Sequence, residues 1–206
     1  MATIAGLLAR MRQDLNDEAT PYRWSDAHLQ RHLERTIREY SLSAPREMKT
    51  MAPTTAGSRE IAIGSLADLV RVEAVEWPVG QWPASYVRFS VWQTTLTLLT
   101  EAKGDGSPAA IYWLAVHPVD ASTLPTRDEE LICRGAAGYA ALEWANYAIG
   151  RVTVAGEETA DRYRRWGTTA IDEFWAGLDR LRRALKSRRL YAPAGTLPSQ
   201  SRDAGP

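Results

Sequence analysis

Two histidines four residues apart are the first residues in the chain whose spacing could serve chemistry. His28 and His32 would lie one turn apart on a helix, the spacing at which two imidazoles share a zinc ion in HExxH sites. The intervening residues are Leu-Gln-Arg, so the glutamate of that motif is missing, and His117 is the one other histidine. The pattern favours ordinary histidines on a helix surface, and we predict neither a metal site nor a cofactor.

The other reactive side chains also lack the neighbours that catalysis needs. Cys133 is the single cysteine and lies among apolar residues of a helical pattern, which predicts a buried small hydrophobe and a protein suited to a reducing compartment. No GxSxG motif accompanies a serine, and KGDG lacks the pattern of a phosphate loop. The acidic clusters 128–130 and 157–158 fall in first helical turns, where the helix dipole accounts for them. We predict no enzymatic activity; a hydrolase would require His117 or Asp120 to lie in a pocket with a displaced pKa.

Aromatic residues are unusually rich in tryptophan and concentrate in the middle of the chain. The sequence holds eight tryptophans and two phenylalanines. Two interpretations stay open: the large side chains fill the core of a small sheet, or they form an interface between proteins, where Trp and Tyr are enriched. The residues that we assign to such an interface are Trp77, Trp82, Tyr86, Trp92 and Trp113.

A run of basic residues lies near the end of the last helical pattern. The segment RLRRALKSRR, residues 180–189, holds six Lys or Arg and no acid, and removing these six leaves 19 basic residues against 25 acidic ones. A basic end on an acidic body indicates a contact surface. Three interpretations stay open: a solvated helix face favoured by the dipole, docking to an acidic protein, or contact with DNA phosphates.

Apolar periodicity predicts two helices at the start of the chain. Ser25 is placed as the N-cap of the second helix, directly after Trp24, and Pro45 ends that helix. The first apolar stripe is Ile4, Leu7, Leu8, Met11 and Leu15, and the second is Leu29, Leu33, Ile37 and Tyr40.

The pattern then changes to that of strands. Val70, Val72 and Ala74 alternate with charged residues until Pro78. Two further alternating runs, at about 89–100 and 110–116, flank the turn-forming KGDGSP, and together they predict a β-hairpin. We therefore expect one small antiparallel sheet, inserted at about residues 58–120.

Helical periodicity returns at Thr126, which with Glu129 predicts a capping box, and the helix is expected to run to Gly150. Its middle contains Gly135 and Gly138, each about 1 kcal/mol less favourable than alanine in a helix, so another part of the protein is expected to approach the backbone there. A last helix is predicted from about Glu157 to Arg189, with the apolar stripe Tyr163, Trp166, Ala170, Phe174, Leu178, Leu181 and Leu185.

Together these patterns predict an α+β fold, mainly α, with a four-helix bundle-like core, an inserted small antiparallel β-sheet and a disordered C-terminal tail. We expect a single domain over residues 1–191, with its helical core at 3–45 and 126–190. A flexible tail follows at 192–206, because this segment is rich in Pro, Gly, Ser and Ala. No stretch approaches the roughly 18 apolar residues of a membrane span, and the N-terminus lacks the apolar run of a signal peptide.

The order of these helices resembles that of the head-to-tail adaptor (connector) proteins of tailed bacteriophages. The similarity lies in RQDLND of the first helix, in the turn and Leu-rich helix WSDAHLQRHLERTIREYS, and in two long helices after an insertion. It covers about residues 3–45 and 126–190. The inserted sheet departs from the smallest, nearly all-helical adaptors.

This resemblance implies a structural virion protein of the phage neck, a subunit of a dodecameric ring that lies beneath the portal and extends the DNA channel to the tail. The implied partners are the portal protein, other copies of the chain, and a stopper or tail-side neck protein. DNA would pass through the channel without specific binding, and no membrane would be involved. The implied location is the neck of the virion, after assembly in the host cytoplasm.

Members of that family commonly hold the portal with C-terminal segments. The resemblance therefore implies portal docking by Arg182, Arg183, Lys186, Arg188, Arg189 and Tyr191, and the aromatic residues above would make subunit or tail-side contacts. The alternative function is a DNA-binding accessory module that uses the basic C-terminal helix.

Overall fold

A computed structural model describes residues 3–148 and 157–189 of the chain, with side chains described at 3–148 and 159–185. The described residues form a mixed α+β structure with four α-helices and two small antiparallel sheets. They divide into two units. The helical unit comprises residues 3–44, 117–148 and 157–185, and the sheet unit comprises Pro45–Val116. Among the described helices, none is both long and apolar enough to cross a membrane.

The two N-terminal helices form where the apolar stripes predict them. Helix α1 spans Ile4–Asp14 and helix α2 spans Asp26–Ser43. Ser25 caps α2 as expected, because its hydroxyl accepts a hydrogen bond from the His28 N–H at 3.3 Å. The second apolar stripe is confirmed as core in full, since all four of its residues are buried. In the first stripe Leu7, Met11 and Leu15 are buried, whereas Ile4 and Leu8 are only partly buried.

The turn between α1 and α2 is built around one arginine. Arg12 donates hydrogen bonds to the Asp17 carboxylate at 2.8 Å, to the Trp24 carbonyl at 3.1 Å and to the Asp26 carboxylate at 2.6 Å. Asp17, which is 6% exposed, also accepts from the Arg23 N–H at 2.7 Å. Arg12 and Asp17 of RQDLND and Asp26 of WSD are therefore explained locally, since they pair with one another across the turn.

Helix α3 spans Glu129–Ala148 and helix α4 spans Glu157–Arg189, which confirms both as helices. The predicted capping box is wrong: Thr126–Asp128 forms a short 3₁₀ helix with Pro125 at its N-cap and no side-chain cap bond, and α3 begins after it. Gly150, the expected end of α3, lies outside the described residues.

The expectation of a close approach at the glycines of α3 is confirmed, and the approaching element is α4. A Cβ added at Gly135 would lie 2.7 Å from the Phe174 ring, and one at Gly138 would lie 3.1 Å from the Gly167 carbonyl oxygen. The core of the helical unit gathers Phe174 and Leu178 of α4 with the buried faces of α1, α2 and α3. The four helices thus share one core; the bundle architecture itself stays a prediction.

The sheet unit holds two sheets where we expected one. In chain order its strands are β1 (Arg46–Pro53), β2 (Glu60–Ala62), β3 (Leu69–Glu76), β4 (Tyr86–Val87), β5 (Phe89–Trp92), β6 (Thr95–Leu98) and β7 (Pro108–Ala115). The first sheet has the order β1-β7-β3-β4, the second has the order β2-β6-β5, and every pairing is antiparallel. The insertion begins at β1, earlier than the predicted residue 58.

The hairpin predicted across KGDGSP is wrong. Strands β5 and β6 form their own hairpin through the short turn at Gln93 and Thr94, while β7 pairs with β1 and β3 in the other sheet. Strand β3 is confirmed, but register shifts after Leu69 and Val72 interrupt its alternation, so that Val72 is buried and Val70 is 36% exposed. The two sheets share one apolar core, which includes Ile61, Val75, Leu96, Leu98 and Ile111.

Candidate interaction surfaces

The basic end of α4 is a solvent-exposed helix face as far as its side chains are described. Arg180 and Arg183 are exposed, and Arg182 donates to the Ser43 hydroxyl at 3.0 Å and pairs with Asp179 at 3.5 Å. Arg182 is therefore anchored to α2, whereas Arg183 is available to a partner. The side chains of Lys186, Arg188 and Arg189 and all of Tyr191 lie outside what the structure describes.

Two of the five aromatic residues that we assigned to an interface lie in the core. Trp77 and Trp113 are 6% and 5% exposed, and both belong to the apolar core of the sheet unit. Their indole N–H groups donate to the Ser107 hydroxyl at 3.1 Å and to the Thr50 hydroxyl at 3.0 Å. Because buried tryptophans need such a partner, these two residues fit the alternative interpretation of the aromatic excess, in which large rings fill a small sheet.

The other three aromatic residues are on the surface. Trp82, in the loop between β3 and β4, is 97% exposed, and Trp92, at the end of β5, is 78% exposed. Tyr86 is 39% exposed and its ring lies against that of Tyr112, with centroids 6.1 Å apart. An almost fully exposed tryptophan leaves a large apolar area in water, so these residues are candidates for burial by a partner.

Tyr86 belongs to a polar and aromatic row across the first sheet. Tyr112 donates to the Glu76 carboxylate at 2.8 Å, and the Lys49 ammonium lies 4.8 Å from the Tyr112 ring centroid. The Tyr112 hydrogen bond and the Gly80 N–H lower the pKa of Glu76. Cross-strand pairs of this kind stabilise a sheet, and this row positions Tyr86 at the end of the loop that carries Trp82.

A polar groove of about 610 Å³ lies on the helical unit, between α2 and α3. Glu143 of α3 contacts both Arg31 and His32 of α2. One turn further along, Arg35 pairs with Glu39 at 3.0 Å, and Tyr139 donates to Glu39 at 2.8 Å. The other lining residues are Leu142 and Asn146.

Burial shapes the ionisation of this groove. Burial lowers the pKa of His32, and the neighbouring carboxylate of Glu143 only partly opposes it. Burial would raise the pKa of Glu143, but hydrogen bonds from Arg31 and His32 lower it below its ordinary value. Burial and the Glu39 hydrogen bond raise the pKa of Tyr139 to about 12. The charges of the groove are thus largely matched to each other.

Sequence reasoning missed this groove as a unit. Arg31, Arg35 and Glu39 of α2 follow one another at four-residue spacing, which is a detectable signal, but the α3 partners of these residues and of His32 are at least 100 positions away. His28 is exposed, as predicted, whereas the prediction of a surface position is wrong for His32, which is 7% exposed. Within residues 3–148 and 157–189 no three His, Cys, Asp or Glu side chains come together as metal ligands.

The buried position of Cys133 is confirmed. It is 1% exposed, and burial raises the pKa of its thiol to about 12. A thiol held in its protonated form is a poor nucleophile. Its Sγ lies 3.7 Å from the Leu7 carbonyl oxygen.

The residues on which a hydrolase would depend serve the local structure. His117 is buried in the helical unit, and its ring nitrogens contact the Thr123 hydroxyl at 2.8 Å and the Ala44 carbonyl at 3.1 Å. Asp120 accepts from the Ser122 N–H at 2.9 Å, and its hydrogen bonds to Ser122 lower its pKa. These hydrogen bonds stabilise the local chain segments around His117 and Asp120, and neither residue lines the groove between α2 and α3.

Comparison with known proteins adds little to this picture. No family model matches the chain, and no curated protein matches it. One similar solved chain belongs to the neck of an empty gene transfer agent (GTA) particle computed with C6 symmetry; it is 16% identical, with 77% of this chain and 87% of that chain covered. Another belongs to the neck of a native GTA particle computed with C12 symmetry, at 16% identity over 81% and 91% of the two chains. Both have a TM-score of 0.30, which is too low to carry an argument about fold or function.

Proposed function

We propose that this protein is a structural subunit of a tailed-phage neck, a head-to-tail adaptor that forms a ring beneath the portal and extends the DNA channel toward the tail. The observation that carries the proposal is the exposure of Trp82 and Trp92, at 97% and 78%. Large exposed aromatic side chains favour a protein that functions by burying its surface against others. The resemblance of residues 3–45 and 126–190 to adaptor proteins is the reason for choosing the phage neck as the assembly in which these surfaces are buried.

In this proposal the sheet unit makes the subunit or tail-side contacts. Trp82, Tyr86 and Trp92 supply the aromatic contact area, and Trp77 and Trp113 hold the sheets that carry them. The partners on this side are further copies of the chain in a dodecameric ring, and a stopper or tail-side neck protein.

The basic end of α4 is the proposed portal-docking surface. Arg183 is exposed and Arg182 is held by Ser43, so an acidic portal surface would meet one solvent-exposed and one oriented guanidinium. The tail after α4 would continue the contact. The proposed docking residues are Arg182, Arg183, Lys186, Arg188, Arg189 and Tyr191.

DNA is proposed to pass through the ring without specific binding. Outside residues 180–189 the chain has 19 basic against 25 acidic residues, so its body repels phosphate more than it attracts it. Such a channel would leave DNA free to slide. The proposed location is the virion neck, reached after assembly in the host cytoplasm.

Light scattering of the purified protein, alone and mixed with the portal protein of the same phage, tests the proposal. We expect a ring-sized complex with the portal, whether or not the free protein is a ring. Charge reversal at Arg183 (R183E) should weaken the complex at least tenfold, and the matched reversal R165E, at an exposed arginine earlier on the same helix, should leave it intact. Failure to associate with the portal under any ionic condition would refute the adaptor.

The basic end of α4 also favours one second function, a DNA-binding accessory module. That function predicts binding of duplex DNA that weakens steeply with salt, because each phosphate contact releases a counterion. R183E should then weaken DNA binding while R165E leaves it intact, and the protein should form no complex with the portal for either variant to weaken. The two functions thus give opposite results with the same pair of variants.

A further inference from the structure

Strand β5 ends the second sheet, and one of its sides pairs with no described strand. The Leu99 N–H donates to the Arg88 carbonyl at 2.8 Å, and the pairing continues with Ser90 opposite Thr97 and Trp92 opposite Thr95. Because hydrogen-bonded and non-bonded residues alternate along an antiparallel strand, Ser90 and Trp92 direct their backbone groups toward β6. The N–H and C=O groups of Phe89 and Val91 therefore point to the open edge.

This edge is short, but it lacks the prolines and charges that keep many sheet edges from pairing. Strand β1 is an edge strand of the other sheet, and its Thr54 N–H donates to the Ser107 carbonyl of the neighbouring chain segment at 3.1 Å. Because the direction of the backbone groups alternates, Pro53, Lys49 and Glu47 are the residues whose backbone groups face the open edge of β1. Prolines and charges of this kind block edge-to-edge association. Strand β5 reads Phe-Ser-Val-Trp, with no charge and no proline, and Val91 and Trp92 are 39% and 78% exposed.

The β5 edge is complementary to itself. An antiparallel copy centred on Ser90 places Phe89 opposite Val91 of the second copy, so that the outward N–H and C=O groups of both strands can form four hydrogen bonds. The same register places Arg88 opposite Trp92 of the second copy, on the outer face of the sheet. A guanidinium over an indole ring is a favourable cation–π pair, and the dyad makes this pair twice.

We propose that two copies of this protein pair through β5, in antiparallel register about Ser90, and form a continuous six-stranded sheet with the order β2-β6-β5-β5-β6-β2. The contact is short, so it lies below the roughly 1,000 Å² that stable interfaces bury and gives a transient dimer. It also has a twofold axis, which neighbours around a single cyclic ring do not share. The pairing therefore belongs to the free protein and shields the Trp92 edge before any ring forms.

Cysteine cross-linking tests the register. In the proposed dimer Ser90 lies on the dyad as a non-hydrogen-bonded pair, with Cα atoms about 4.5 Å apart, a distance that suits a disulfide. Thr97 lies beside Ser90 on the same face but one strand further in, so the two copies of Thr97 are about 14 Å apart, three strand spacings. The native Cys133 is buried with a raised pKa and serves as an unreactive background.

We expect mild oxidation of Ser90→Cys to give a disulfide dimer on a non-reducing gel, at least tenfold more than Thr97→Cys under the same conditions. Adding Val91→Pro should abolish the cross-link, because it removes an outward N–H while leaving the bonds to β6 in place. Circular dichroism checks that the double variant is folded. Equal cross-linking of Ser90→Cys and Thr97→Cys, or none with either, would overturn the proposal. Hydrogen exchange at the Val91 amide gives a second test. If this amide is protected only when another neck protein is present, the proposal is overturned and that protein is the partner that pairs with the β5 edge.

Discussion

Replacing Gly135 with alanine should destabilise the helical unit, although alanine is the better helix former. The added Cβ would lie 2.7, 2.9 and 3.1 Å from three atoms of the Phe174 ring. Phe174 is 0% exposed and belongs to the core of the helical unit, so its ring can move only by displacing close-packed neighbours. Helix α4 must then shift away from α3 or the ring must leave its preferred rotamer.

The expected size follows from two opposing effects. Alanine gains about 1 kcal/mol over glycine in a helix interior. Overpacking a rigid core costs about 1–3 kcal/mol, and three close contacts to a fully buried ring favour the upper half of that range. The net loss for Gly135→Ala is therefore about 1–2 kcal/mol.

Gly177 provides a matched control on the partner helix. A Cβ there would lie 2.5 Å from a terminal methyl of Leu131, which is half-buried and can rotate away. A rotamer adjustment costs about 0.5–1.5 kcal/mol, which roughly cancels the gain of about 1 kcal/mol in helix propensity. Gly177→Ala should thus be close to neutral.

Urea unfolding followed by far-ultraviolet circular dichroism measures both variants, because this signal is dominated by the helices. In a Phe174→Leu background, Gly135→Ala should cost less than it does in the native protein, since the smaller side chain makes room for the methyl group. If Gly135→Ala is as stable as the native protein, or if Gly177→Ala loses as much, then close packing of α3 on α4 does not explain Gly135.

Three further outcomes follow from buried polar groups. The pKa of His32 is lowered from 6.5 by burial, so just below pH 6.5 the unfolded chain binds more protons than the folded one. The free energy of unfolding should therefore fall as the pH drops from 6.5 toward the pKa of His32 in the folded protein. Replacing His32 with glutamine (His32→Gln) should flatten this part of the pH profile, measured by urea unfolding. Asp17→Asn should cost about 2 kcal/mol because Asp17 is buried against Arg12, whereas Asp161→Asn, at an exposed ion pair, should cost under about 0.5 kcal/mol in the same assay. Tyr40→Phe should cost about 1–3 kcal/mol in thermal unfolding, because it takes the 2.7 Å hydroxyl donor from the buried carboxylate of Asp128; a loss below about 0.5 kcal/mol would show that this carboxylate finds another partner.

The helices could be predicted because their signals are local. A stripe such as Leu29, Leu33 and Ile37 specifies which side of α2 is buried without reference to any other element, and Ser25 caps the helix with its own hydroxyl. The strands were harder, since an alternating run does not name its partner. Strand β7 pairs with β1 and β3 across more than 30 positions of chain, so the short turn at KGDGSP was a misleading guide.

By itself the sequence determined the four helices, the burial of Cys133, the close approach at Gly135 and Gly138, and the charge contrast between the end of α4 and the rest of the chain. Each of these follows from side chains within a few turns of one another or from a simple count. The tertiary structure alone decided that Trp77 and Trp113 are core while Trp82 and Trp92 are exposed, because burial depends on which strands lie opposite. It also brought Glu143 to His32 and left the β5 edge open, since both depend on contacts between distant segments that no local pattern encodes.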